Sequence, residues 1–412
     1  MTDALDIIAP ERVGLSAARL RRMDDHFRSA YVDTGKVPGI LTLVARRGAV
    51  AHLSVAGMAD RERGVAMRDD ALVRIYSMTK PLTSVLFMML VEEGKVALDD
   101  PVCGLIPQWR DLGVYQSGAA GAFKSRPPER PMLMIDLLRH TSGLTYAFQE
   151  RTPVDAAYAK AGIGTLGAHD LNLVGAIEAL AAIPLDFSPG SAWNYSVSTD
   201  VLGYLIGVIE RRPFEDVLRD RLLEPLGMTD TGFQVPAAEA SRLAACYLAQ
   251  PGGQATLTDD PVKSAYLRAP RLVSGGGGLI STAADYLRFC RMLLAGGTLD
   301  GARYLSRKTV ALMTANHLPG GGDLTEMSVS MFSEAAYAGV GFGLGFAIVE
   351  HPARMMAPGT AGSYFWGGAA GTYFWIDPAE ELIVIFMTQL RDSSLFPLRR
   401  DLRNMVYAAF DD

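Results

Sequence analysis

Apolar runs of strand length lie near the two ends of this 412-residue chain and are scarce between them. Residues 40–45 and 49–56 are such runs, joined by Arg46-Arg47-Gly48, a short connection with a residue suited to positive φ, and they read as a hairpin. Residues 342–349, 364–366, 372–376 and 382–388 read as further strands. Strands at both ends with helices between them suggest one antiparallel sheet with the middle of the chain inserted as a second lobe.

Helical patterns fill the rest. Residues 16–34 place Leu20, Met23, Phe27, Ala30 and Tyr31 at helical spacing. The apolar run 81–91 is too long for an ordinary strand and stops at Glu92-Glu93-Gly94, so it reads as a buried helix with a glycine C-cap. Helices are also expected at 282–295, 306–315 and 395–410. From 101 to about 270 the chain is rich in Ala and Leu with Gly/Pro loops, which predicts a mainly helical segment. The expected class is therefore α+β. Residues 1–100 and 271–412 form a lobe with an antiparallel sheet flanked by helices, and 101–270 form an inserted helical lobe. A cleft between lobes is a usual place for a site.

Composition excludes several functions. Hydrophobic residues at 49% and charged residues at 20% rule out a disordered tail and a coiled coil. A net charge of -6 with no dense basic block argues against nucleic acid as a partner. Arg399, Arg400 and Arg403 read as an exposed helix face. Cys103, Cys246 and Cys290 are odd in number and widely spaced, so neither a disulfide framework nor a zinc site is indicated; buried reduced thiols are expected. The longest apolar stretches, 85–91 and 201–209, fall far short of the roughly 18 residues that span a bilayer. Residues 1–14 carry Asp3, Asp6 and Glu11 and do not resemble a secretory leader, so a soluble, cytoplasmic protein is expected.

Three segments can carry chemistry. Ser77-Met78-Thr79-Lys80 is an SxxK at the start of the buried helix. Positions i and i+3 share a helix face, so the lysine amine can take the serine proton, and the helix N-terminus favours developing negative charge. Serine at a helix start is also a common N-cap, and roughly one SxxK is expected by chance in a chain of this length. The GxSxG elbow is absent. Tyr195, on the loop 189–196, could act as a general base if positive neighbours favour its phenolate, or simply anchor its loop. Trp366-Gly367-Gly368-Ala369-Ala370-Gly371 lies between strands, where glycine lets a ligand approach the backbone, or marks a plain hairpin turn. His140, within His140-Thr141-Ser142-Gly143, fits capping or packing better than catalysis. His26, His52, His169, His317 and His351 carry no motif context. The run Ser274-Gly275-Gly276-Gly277-Gly278 lacks the Lys-Ser/Thr of a phosphate loop, so no nucleotide is expected.

In this order the SxxK, His140-Thr141-Ser142-Gly143-Leu144, Pro189-Gly190 with Tyr195-Ser196, Ser274 to Gly278 and Trp366-Gly367-Gly368 resemble the serine β-lactamase-like superfamily. The nearest branch looks like the family VIII carboxylesterases related to class C β-lactamases, near the fungal statin acyltransferases. The resemblance implies Ser77 as acylated nucleophile, Lys80 with Tyr195 as base, and the Ser77 and Ala369 N–H groups as oxyanion hole, with no cofactor and no metal. The chain departs from the family's β-lactamases in two places. Trp366-Gly367-Gly368 stands where they carry Lys-Thr-Gly, and Tyr195-Ser196-Val197 where they carry Tyr-x-Asn. The missing lysine is the family's carboxylate partner, so a neutral aromatic wall for uncharged esters is expected. Trp366, Gly367, Gly368, Tyr146, Phe148 and Trp193 are its candidate residues. The resemblance thus implies a serine carboxylesterase for small, largely apolar esters, with acyl transfer, weak β-lactamase activity or a non-catalytic binding role as alternatives.

Overall fold

The computed structural model describes residues 5–165, 171–330 and 338–412. Its centre is an eight-stranded antiparallel sheet. The strands are β1 (Gly39–Arg46), β2 (Ala49–Asp60), β3 (Val65–Ala66), β4 (Val340–Phe342), β5 (Ala347–Val349), β6 (Tyr364–Gly367), β7 (Tyr373–Asp377) and β8 (Leu382–Thr388), in the order β4-β5-β6-β7-β8-β1-β2-β3. The two ends of the chain meet where β1 pairs with β8, from Ile40 opposite Thr388 to Arg46 opposite Leu382. Every residue of β1 is buried, as a central strand covered on both faces must be.

Local chemistry explains the elements. The turn between β1 and β2 is Arg47-Gly48, both at positive φ (52° and 81°), the geometry of a tight two-residue hairpin. Helix α1 (Ala17–Phe27) starts under Ser16, whose side chain accepts from the Arg19 N–H, and continues as one π turn through Val32. Helix α2 (Thr79–Glu92) ends before Gly94 at φ 69°. It packs against α4 (Ser198–Glu210), which follows α3 (Leu173–Leu180) in the chain. Helix α5 (Ala283–Leu294) is capped by Thr282, and α6 (Leu398–Ala408) is the last helix. Phe27 of α1 meets Phe386 on one face of the sheet, and Tyr286 of α5 meets Phe374 on the other.

Four sequence expectations need correction. Residues 342–349 are not one strand but the hairpin β4–β5, because Gly345 turns at φ 98° and lies so close to α2 that a Cβ there would meet the Ser84 side chain at 2.4 Å. The helical middle also holds two small hairpins, Val114–Ser117 with Lys124–Arg126 and Cys246–Leu248 with Thr256–Asp259. The C-terminal arginines are not a shared exposed face. Arg403 is buried, with its guanidinium 5.2 Å from the Trp375 ring centroid and 5.6 Å from that of Phe365, and Arg399 lies over Tyr373 at 5.1 Å. The aromatic residues of β6 and β7 draw both cations inward; Arg400 alone of the three is largely exposed. Cys246 and Cys290 are buried free thiols, but Cys103 is partly exposed.

Candidate active site

The strand-like pair Val73–Arg74 lies against Ile280–Ser281, and the chain then turns sharply at Tyr76. Tyr76 sits at φ 41°, a conformation uncommon for a bulky residue and found where surrounding structure over-determines the backbone. That turn delivers Ser77 into a 3-10 turn, Tyr76–Met78, one step ahead of α2. The helix has no side-chain cap, so Ser77 is not its N-cap. Tyr286 Oη donates to the Met78 carbonyl at 2.9 Å and ties this corner to α5.

Lys80 follows on the first turn of α2 and is 2% exposed. Its Nζ lies 3.2 Å from Ser77 Oγ and donates to the Gly276 carbonyl at 2.6 Å. It stands 4.5 Å from the ring centroid of Tyr195 and 5.5 Å from that of Tyr146. The structure therefore brings Ser77 and Lys80, one turn apart at the start of α2, together with Tyr195 from a distant loop. Tyr195 is held by its ring: it stacks on Trp193 (6.3 Å, 13°) and contacts His140, Tyr146 and Trp366 at 5.0–5.4 Å.

The glycine run shapes this centre. A Cβ at Gly275 would meet the Thr199 carbonyl at 2.7 Å, and one at Gly276 would meet Asp200 Oδ2 at 2.7 Å, so only glycine lets the loop lie on the start of α4. There Asp200 Oδ1 accepts from Ser274 Oγ and from the Gly276 N–H at 3.1 Å. Thr83 Oγ1 donates to the Gly275 carbonyl at 2.8 Å. Asp200 thus holds the N–H of the same glycine whose carbonyl accepts from Lys80. Sequence reasoning missed this role; the signal was an acid five residues after Tyr195, meaningful only once the glycine run is folded onto it.

Ala369 reaches the same cavity on the turn between β6 and β7. The Gly368 N–H donates to the Thr372 carbonyl at 2.8 Å, and a Cβ at Gly368 would meet the Ile75 carbonyl at 2.4 Å. The close approach expected at this glycine motif is therefore to the chain's own backbone, two residues before Ser77, and not to a ligand. Gly367 is likewise covered, by the Arg399 guanidinium.

A cavity of about 760 Å³ opens over Ser77. Of the expected wall residues, Tyr146 and Phe148 line it, stacked on one another at 4.7 Å. Trp193, Trp366, Gly367 and Gly368 do not; both tryptophans are 0% exposed and pack behind Tyr195. Their large rings serve the core better than the cleft. The lining is instead apolar on one side, with Ile163, Leu171, Leu173, Ile177, Leu180 and Val201, and carries Arg268, Arg271 and Arg391 elsewhere, so it is not the neutral wall expected.

His140 is wholly buried. Its Nδ1 lies 3.1 Å from Ser196 Oγ, which continues to Ser198 and Ser142 at 2.7 and 2.8 Å. Burial first, then the Lys80 charge, holds its pKa well below the ordinary 6.5. The unfolded chain then binds this proton more readily than the folded one, so stability is full above about pH 6.5 and falls as the pH drops below it, by up to about 1.4 kcal/mol per pH unit. His140→Asn, which tolerates the same positive φ (57°), is expected to flatten this slope between pH 6.5 and 5 in urea unfolding; equal slopes would contradict it. His169 lies outside the described residues. Among the described residues, no group of three or more His, Cys, Asp or Glu is placed to hold a metal, and no helix is long and apolar enough to cross a membrane.

Comparison with known proteins agrees with this fold. The model of the family described as Beta-lactamase matches residues 24–407. Protein Rv1367c of Mycobacterium tuberculosis is 38% identical over 87% of this chain and 87% of its own length. Esterase EstB of Burkholderia gladioli is 31% identical over 97% of this chain and 98% of its own. The structure of EstCE1, a hydrolase with promiscuous acyltransferase activity, superposes with a TM-score of 0.78 at 26% identity, covering 95% of this chain and 98% of that one. With the β-lactamase-like sheet joined across its two termini and a family match spanning nearly its whole length, this chain belongs to the beta-lactamase family.

Proposed function

We propose that the protein is a serine carboxylesterase acting on small-molecule esters with an apolar acyl group. The observation that carries this is the 3.2 Å approach of the buried Lys80 Nζ to Ser77 Oγ at the floor of a largely apolar cavity. The likeness to an esterase over nearly the whole chain supports it.

In the proposed mechanism Lys80 in its neutral form, with Tyr195, takes the Ser77 proton as Oγ attacks the ester carbonyl carbon. The carbonyl oxygen becomes an oxyanion that the Ser77 and Ala369 N–H groups stabilise. Collapse breaks the bond to the alcohol oxygen, which leaves with the proton. Water, deprotonated by the same base, then attacks the acyl-enzyme and releases the acid and Ser77. We place this chemistry between a sheet lobe of residues 1–100 and 271–412 and an inserted lobe of residues 101–270.

An alcohol can replace water in the second step, and the likeness to EstCE1, a hydrolase with promiscuous acyltransferase activity, favours that second reading. Product analysis with a p-nitrophenyl ester, with and without added alcohol, separates the two. Free acid alone identifies a hydrolase, and a new ester an acyltransferase. Failure to release p-nitrophenol from any acyl length between two and eight carbons would overturn both. The absence of a lysine at Trp366 favours slow β-lactam turnover, which nitrocefin measures.

A further inference from the structure

The cavity wall that carries arginine has no counterpart in the ester chemistry described so far. Arg391, Arg268 and Arg271 all line it, in a chain whose net charge is -6. Two carboxylates share the lining, and both are engaged: Asp259 pairs with the buried Arg74 at 2.7 Å, and Asp200 accepts from Ser274 and Gly276. Neither Arg268 nor Arg391 has an ion-pair partner among the described residues.

Arg391 is also well placed. The Leu390 N–H donates to the Ala370 carbonyl at 2.8 Å, next to Ala369, and the Arg391 carbonyl accepts from the Ala249 N–H at 3.0 Å. Its backbone is therefore pinned to the turn that brings Ala369 to the cavity. A partly buried arginine whose backbone is fixed beside a reaction cavity suits a planar carboxylate, which its guanidinium can grip through two parallel N–H bonds.

We propose that the substrate is an ester whose alcohol part carries a carboxylate, bound by Arg391 with Arg268 and Arg271, while its acyl group lies on the apolar wall of Ile163, Leu171, Leu173 and Ile177. This rests on the esterase reading and adds the substrate class. It also replaces the family's lysine, absent at Trp366, with an anion contact from a different segment.

The test compares 4-(hexanoyloxy)benzoate with its neutral methyl ester, methyl 4-(hexanoyloxy)benzoate, each kcat/KM being divided by that ester's rate with hydroxide. The wild type is expected to favour the anion by about ten-fold or more, the size of one hydrogen bond to a charged group, and the preference should shrink with added salt. Arg391→Gln should lower the ratio by a similar factor, and the double variant Arg268→Gln with Arg271→Gln should lower it by a smaller one. A wild-type ratio at or below one, or an unchanged ratio in Arg391→Gln, overturns the anion site. Ser77→Ala run alongside distinguishes the failures. Wild-type rates on both esters in that variant overturn the esterase reading and this inference with it. Loss of both rates, combined with an unchanged ratio in Arg391→Gln, overturns the anion site alone.

Discussion

Ser77→Ala is expected to lower kcat/KM toward a p-nitrophenyl ester by about 10⁴-fold or more, while the protein remains folded. Ser77 contributes only its Oγ to the arrangement: the side chain caps no helix, and the corner is held by backbone contacts and by the Tyr286–Met78 bond. Removing one oxygen therefore removes the nucleophile without removing support. Lys80 is different. Its Nζ is buried and satisfies the Gly276 carbonyl, so Lys80→Met leaves a buried acceptor unmet and costs about 1–3 kcal/mol of stability as well as activity. The two losses should not add. Groups that act as one unit cost about as much singly as together, so the Ser77→Ala, Lys80→Met double variant should be no slower than Ser77→Ala alone. A double variant slower by the product of the single effects would separate Lys80 from the nucleophile.

Tyr195→Phe is the second large effect, an expected fall of about 10²- to 10⁴-fold in kcat/KM, the usual worth of a positioned proton-transfer group. Phenylalanine keeps the stack on Trp193 and the edge contacts with His140 and Tyr146, so unfolding midpoints should change little. The substitution thus separates the phenol's chemistry from its packing. If the rate falls less than three-fold, Tyr195 anchors its loop and Lys80 alone serves as base. If the rate and the stability fall in step, the ring is structural.

The parts of the fold legible in the sequence were those decided locally. Ser16, Thr282 and Ser306 cap their helices because a side-chain oxygen meets an N–H two or three residues on. Arg47-Gly48 turns because glycine accepts positive φ. That strands from both ends share one antiparallel sheet followed from where the apolar runs lie; which of them pair, β1 with β8, did not. Ser77 and Lys80 could be placed together because their separation is one helical turn, and Tyr195 joined them through the order of motifs.

What escaped the sequence depended on which side of a residue faces the protein. Trp366 and Trp193 are as apolar as any cleft wall, and nothing in their neighbours says that they lie behind Tyr195 instead of in front of it. Arg403 resembles a surface helix residue until β6 and β7 present their aromatic faces to it. Asp200 and Arg391 lie far from the SxxK in sequence and reach it through a glycine loop and a short parallel strand pair, Leu390–Arg391 beside Tyr247–Leu248. Such placements are set by tertiary packing, which neither periodicity nor spacing records.

The central claim is that Ser77 is the nucleophile of a covalent mechanism. A fluorophosphonate reacts with an activated serine and leaves its phosphonyl group on that oxygen, so intact-mass and peptide mapping read the nucleophile directly. The expected result is one adduct per chain, on Ser77, absent in Ser77→Ala and strongly slowed in Lys80→Met. An adduct on another residue, or none while ester hydrolysis proceeds, would contradict it.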